Sequence, residues 1–255
     1  MLPPDAIPDA IPDAIGWCPR CRKPHRLAAG PARPHARQLM ADLEKHRRLD
    51  FDRPTAEADP RLSTAPLFGP ARGQMFGVLT ARNDAGETVI LRAFSGMHNG
   101  RWEAPGWEPP LFPVTRFHAV MDPSEIRIKA LGNQMRRLAA DDPRRATLKA
   151  RRRDLSRATQ QQLHQLYTLH NFRGETAGLV PFYQGVAGPP TGAGDCAAPK
   201  LLNAAARRGL RPTGLVEFFF GAPNVSHGRA HGVFYAPCED KCAPILGWML
   251  CGGVE

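Results

Sequence analysis

Apolar residues recur along this chain in two rhythms, and each rhythm predicts a different kind of element. Leu39, Met40, Leu43 and Leu49 stand among charges between His35 and Phe51 and predict a helix. From Gln74, QMFGVLTA and TVILRAFSG are β-rich runs around an Asn83-Asp84-Ala85-Gly86 turn, which predicts a hairpin. Asp122-Pro123-Ser124-Glu125 offers an N-cap, a proline at the first helical position and a glutamate at the third, so a helix is predicted to start there. Ile128, Leu131, Met135 and Leu138 form its apolar stripe. Asp142-Pro143 repeats the device before a second helix predicted as far as Phe172, with Leu148, Leu155, Leu163, Leu166 and Leu169 inward and Gly174 past its end. Together the two make a helical hairpin.

After Pro189 the elements alternate. A Gly-rich turn leads to Cys196 and an alanine-rich helix, and TGLVEFFFG after Pro212 reads as a buried strand. A loop, APNVSHGRAHG, leads to the strand VFYA, then to Pro237-Cys238 and, at Cys242, the helix APILGWML. This alternation predicts an α/β sandwich, a mixed sheet flanked by helices, into which the helical hairpin is inserted. Elsewhere the pattern is weak. Prolines and glycines between Phe51 and Gly73 predict a linker or irregular surface, and three copies of Pro-Asp-Ala-Ile over residues 4 to 15 predict a disordered leader.

Composition adds a partner class. The chain of 255 residues is 42% hydrophobic and 23% charged, ordinary for a globular protein, and carries a net charge of +10, which favours a polyanionic partner such as RNA. Arginine outnumbers lysine 28 to 6, so coding bias explains the excess equally well. Arg144, Arg145, Lys149, Arg151, Arg152, Arg153 and Arg157 crowd the start of the second hairpin helix, and with Lys200 they are the candidate nucleic-acid contacts. A solvated face of an exposed helix pair is the alternative. No apolar run reaches membrane-spanning length, and the first residues lack a basic segment, so no membrane anchor or export signal is expected. Six cysteines in such a chain point to a reducing cytoplasm, where clustered thiols bind metal or react.

The chemistry gathers on the cysteines. Cys196 and Cys242 fall at helix starts, where the dipole favours the thiolate that a metal requires, and Cys238 arrives just before the second of them. A strand, a Pro-Cys step and a cysteine opening a helix is how zinc nucleobase deaminases present two ligands, the third opening the preceding helix. Cys196, Cys238 and Cys242 are therefore expected to hold zinc. The alternative is three small buried hydrophobes. Two departures weaken the parallel: Ala198 stands where deaminases carry the proton-shuttling glutamate, and three residues rather than two separate Cys238 from Cys242. Glu217, inside the strand between the ligand segments, and Asp195 are the candidate replacement acids; a salt bridge to Lys200 or an arginine is the alternative role for Glu217. Glu239, His227 and His231 are further neighbours in sequence. Cys18 and Cys21 have the gap of a zinc knuckle, with His25 as a third ligand and no evident fourth.

The segments GQMFGVLTARNDAGE, LRAFSG, GAGDCAAPKLL, LVEFFFG and HGVFYAPCEDKCAPILGWML, with the helical hairpin between them, resemble the N-terminal extension of long-form RluA-family RNA pseudouridine synthases. The likeness covers roughly residues 70 to 250. It implies association with RNA modification and a pseudouridine synthase as partner. That family's catalytic aspartate lies in a His-Arg-Leu-Asp motif. The nearest string here, His46-Arg47-Arg48-Leu49-Asp50, has an extra arginine, so synthase activity is not expected of these residues. The resulting division is 1–34, a disordered leader with a candidate zinc knuckle; 35–73, helix and linker; and 74–255, a deaminase-like domain with the hairpin inserted at about 122–173. Two functions stay open: a zinc-binding, RNA-associated module, and an active zinc-dependent nucleobase deaminase with a relocated acid.

Overall fold

The computed structural model describes residues 11–184, 188–225 and 228–254. They divide into two compact units, one from the described residues of 1–111, 169–177 and 192–255, the other from 112–168 and 178–191. The first unit is α/β and carries all six cysteines.

Its centre is a four-stranded sheet in the order β4-β3-β7-β8, from β3 (Gln74–Arg82), β4 (Thr88–Phe94), β7 (Arg211–Phe220) and β8 (Phe234–Tyr235). The β3–β4 hairpin is the predicted one. Asn83 closes it, its side-chain oxygen accepting from the Glu87 N–H at 2.8 Å, with Gly86 at φ +79°. Every pair in this sheet is antiparallel, so the expected mixed sheet is corrected. A parallel neighbour needs a crossover connection, and β8 returns beside β7 through a loop instead.

Alternation along the strands gives the sheet two faces. Phe76, Val78, Val216, Phe218 and Phe220 pack with Ala36, Leu39 and Leu43 of α1 (Ala32–His46). Trp107 joins this cluster, its ring 5.6 Å from Phe76 and 5.7 Å from Phe94, and its indole N–H donates to Leu49 O at 2.9 Å. Each such fully buried ring contributes about 1.5–3 kcal/mol. The opposite face carries Gly77 and Glu217 and is covered by α4 (Ala197–Arg207). A side chain at residue 77 would come within 2.9 Å of the Ala197 Cβ and 3.0 Å of Leu201, so glycine is what lets α4 approach.

The weakly patterned stretches are ordered. Leu62 and Leu67, in the segment read as linker, are buried in the α1 core. Ala14–Cys18 (β1) and Lys23–Leu27 (β2) pair as an antiparallel hairpin where a disordered leader was expected; residues 1 to 10 lie outside the described set. The prolines mislead because Pro12 precedes the strand and Pro24 sits in a two-stranded ribbon, positions that do not disturb a ladder. α5 (Ala243–Met249) packs on β1.

In the second unit, α2 (Val114–Arg136) starts well before the predicted Asp122 and takes Pro123 into its interior. No residue of α2 is fully buried, so the proline costs one backbone bond on an open helix without disturbing a packed face. α3 (Arg144–His164) packs against α2, with Ile128, Leu131, Met135, Leu138, Leu148 and Leu155 half-buried as the stripe predicts. It stops before Phe172. Thr168–His170 (β5) and Thr176–Gly178 (β6) form a short ribbon instead, whose residues 169–177 belong to the first unit, with Leu169 buried.

Candidate metal centres

The first centre is assembled by three elements that the sheet brings together. Gly192 and Gly194, at φ +78° and +82°, turn the chain into α4 and leave Cys196 at its N-cap with extended backbone. β8 delivers Cys238, whose carbonyl accepts from the N–H groups of Cys242 at 3.2 Å and Ala243 at 3.1 Å. That turn absorbs the extra residue noted between the two cysteines and sets Cys242 at the N-cap of α5. The Cys196 and Cys238 sulfurs are 3.4 Å apart, and all three sulfurs lie within 4.8 Å of one another. A tetrahedral ion with bonds of about 2.3 Å separates its sulfurs by about 3.8 Å, so the three predicted residues can hold a metal ion.

The thiols are linked to one another. Hydrogen bonds from Cys196 and Cys242, with backbone N–H groups of Lys241 and Cys242, hold the Cys238 thiol far below its usual range. The same bond to Cys238, the bond to Cys242 and burial push Cys196 well up. One thiolate is thus favoured in the metal-free protein, and a bound cation favours all three.

Cys196 and Cys238 line an open cleft of about 590 Å³ that also presents Asp195, Arg72, Arg229 and Lys241. Glu217 lies against the start of α4, 3% exposed, and one of its carboxylate oxygens accepts from the Ala198 N–H at 2.9 Å. Burial raises its carboxyl to about 7, against the pull of that N–H. The salt bridge to Lys200 weighed from sequence is not formed among the described residues. Lys200 is 1% exposed and donates to Phe94 O at 2.8 Å and Gly96 O at 2.9 Å. Its place among the nucleic-acid contacts is corrected, because its ammonium is enclosed over the Phe94 and Trp102 rings. Of the other neighbours, Glu239 is exposed, and His231 accepts from the Gly221 N–H and meets Glu44. His227 lies outside the described residues.

The second centre completes the knuckle. Cys18, Cys21 and His25 converge with Cys251, all four donor atoms lying within 4.8 Å of one another, so this group too can hold a metal ion. Cys251 was missed in the sequence because no spacing ties it to the others; its only signal was a knuckle lacking a fourth ligand and one cysteine left over. Burial, with the charges of Lys23 and Arg173, lowers the pKa of the His25 imidazole and so favours its neutral form, the one that ligates. The two centres differ in kind: four donors close the second, whereas three donors leave the first one position short of a tetrahedron.

The predicted cationic cluster is on α3. Lys149, Arg151, Arg152 and Arg157 are exposed. Arg144 pairs with Asp142 at 2.7 Å and Arg153 with Asp154 at 3.0 Å. Arg145 turns inward, donating to Met135 O at 2.6 Å and Leu138 O at 3.1 Å, where it satisfies carbonyls at the end of α2. No helix of the described residues is long and apolar enough to cross a membrane. The chain matches no protein-family model, no curated protein and no solved structure.

Proposed function

We propose that Cys196, Cys238 and Cys242 hold zinc and that the cleft above them hydrolyses an amino group from a nucleobase, in the manner of zinc deaminases. The observation that carries the reading is the pairing of a three-thiol centre at an open cleft with a buried carboxylate at the helix start beside it. Zinc, when bound there, supplies Lewis acidity and a coordination position at which water is activated.

The protein's own part is proton handling and orientation. Backbone N–H groups at the start of α4, Ala198 among them, orient the Glu217 carboxylate, which takes a proton from water as the water oxygen bonds to the ring carbon and returns it to the departing amine, which leaves as ammonia. Glu217 on β7 thus stands in for the glutamate that deaminases carry at the position of Ala198. Burial raises its carboxyl in the metal-free protein, and the charge of a bound cation acts in the opposite direction. Arg72, Arg229 and Lys241 suit the phosphate of a nucleotide or RNA, in keeping with the resemblance to pseudouridine-synthase extensions and with a synthase partner in the cytoplasm.

The test is ammonia release from cytosine- and adenine-bearing nucleosides, nucleotides and RNA by the zinc-loaded protein. Glu217→Gln is expected to lower the rate about 10²–10⁴-fold with zinc retained. A second reading, a zinc-stabilised RNA-binding module without turnover, is favoured by the exposed cations of α3. Salt-dependent RNA binding with no ammonia release from any of these substrates decides for that module.

A further inference from the structure

We infer that Cys18, Cys21, His25 and Cys251 bind one structural zinc ion, which fastens the β1–β2 hairpin to the segment following α5. The geometry is that of a closed site. β1 ends at Cys18, and the chain turns back through Arg22 at φ +54°, which brings the Cys21 N–H within 3.5 Å of the Cys18 sulfur. His25 follows on β2. The fourth donor comes from the far end of the chain, with the Cys251 sulfur 3.3 Å from that of Cys21, 230 residues away in sequence.

What brings Cys251 there is a backbone contact. A Cβ at Gly16 would stand 2.2 Å from the Gly247 nitrogen, so β1 and α5 touch without intervening side chains. The imidazole gives an independent sign of a ligand. His25 is 3% exposed, and neither ring nitrogen has a hydrogen-bond partner among the described residues. A buried polar group in that state is costly, and coordination by one nitrogen removes much of the cost. Three thiolates around a divalent cation leave one negative charge, and the Arg173 side chain donates to the Cys251 sulfur at 3.3 Å, where it offsets it.

Three sulfurs and one imidazole nitrogen within 4.8 Å fit a single tetrahedral zinc and are too close for a multi-iron cluster. A two-stranded ribbon of five residues each is marginal by itself, so the ion supplies what the hairpin lacks.

Metal analysis of the full chain, purified anaerobically, is expected to give two zinc ions per chain. Cys251→Ser and His25→Ala should each leave one, Cys238→Ser should also leave one, and Cys251→His should keep two. Loss of the ion from the hairpin site should expose residues 11–27 to proteolysis. Should the single variants not fold, cobalt(II) titration of the wild-type protein replaces them, with thiolate-to-cobalt bands rising to two equivalents. The inference is overturned if wild type saturates at one ion that Cys238→Ser abolishes and Cys251→Ser leaves alone. A Cys21–Cys251 disulfide in protein alkylated during lysis overturns it as well. Neither result touches the cleft centre, whose failure would appear instead as loss of the ion that Cys238 governs.

Discussion

Lys200 offers a sharp test of how this fold accommodates a buried charge. Its ammonium is enclosed beside two carbonyl acceptors, and burial lowers it from 10.5 to about 8, although Asp195 and Cys196 pull the other way. In the unfolded chain the amine keeps its proton up to about 10.4. Between those values the unfolded state binds more protons, so stability rises with pH through this window and is lowest where both states are charged. The difference corresponds to about 3 kcal/mol at about 1.36 kcal/mol per pH unit. The neutral amine still donates to Phe94 O and Gly96 O, so the gain carries no loss of hydrogen bonds. Lys200→Met removes the charge and leaves the two carbonyls unpartnered, at about 1–3 kcal/mol each. The variant should therefore be of comparable stability to wild type at pH 7 and fall behind by about 2 kcal/mol at pH 10. Denaturant unfolding of both proteins at pH 7, 8, 9 and 10, in zinc-containing buffer, measures the gap. A gap that stays constant across this range refutes the reasoning, because Lys200 would then not be titrating in the folded protein.

Three further outcomes are expected. Gly247→Ala places a methyl about 2.3 Å from the Gly16 oxygen and the Trp17 backbone, and should cost at least the 1–3 kcal/mol of ordinary overpacking, read as a fall in the denaturation midpoint. Leu43→Ala empties a fully buried position between α1 and the sheet and should cost about 2–5 kcal/mol by the same measurement. Replacing Arg151, Arg152 and Arg153 with serine should cost less than about 0.5 kcal/mol each, and at most about 1.5 kcal/mol together, since all three are exposed and the loss is one of helix propensity. If α3 meets phosphates, that variant should also flatten the dependence of RNA affinity on salt; an unchanged slope places the contact elsewhere.

The sequence by itself determined what depends on near neighbours. Asn83-Asp84-Ala85-Gly86 announced its hairpin, the leucine and isoleucine stripes announced both helices of the hairpin unit, and Cys196 and Cys242 announced themselves as helix N-caps. Where local chemistry was read too literally it misled. Pro123 was taken as a helix start because proline suits that position, yet an exposed helix tolerated it inside, and Pro12 and Pro24 hid a β-ribbon. Lys200 looked like a free cation because a chain gives no sign of which side of a helix will be covered by a sheet.

Only the tertiary structure decided the relations across long separations. It placed Glu217 of β7 against the Ala198 amide at the start of α4, a contact that no spacing along the chain records. It also supplied Cys251 to a knuckle 230 residues away, through a glycine-to-glycine contact that carries no signal of its own in the sequence. Spacing along the chain records contacts closed by one turn of helix or one hairpin. A coordination sphere is closed by packing, and packing depends on every element at once.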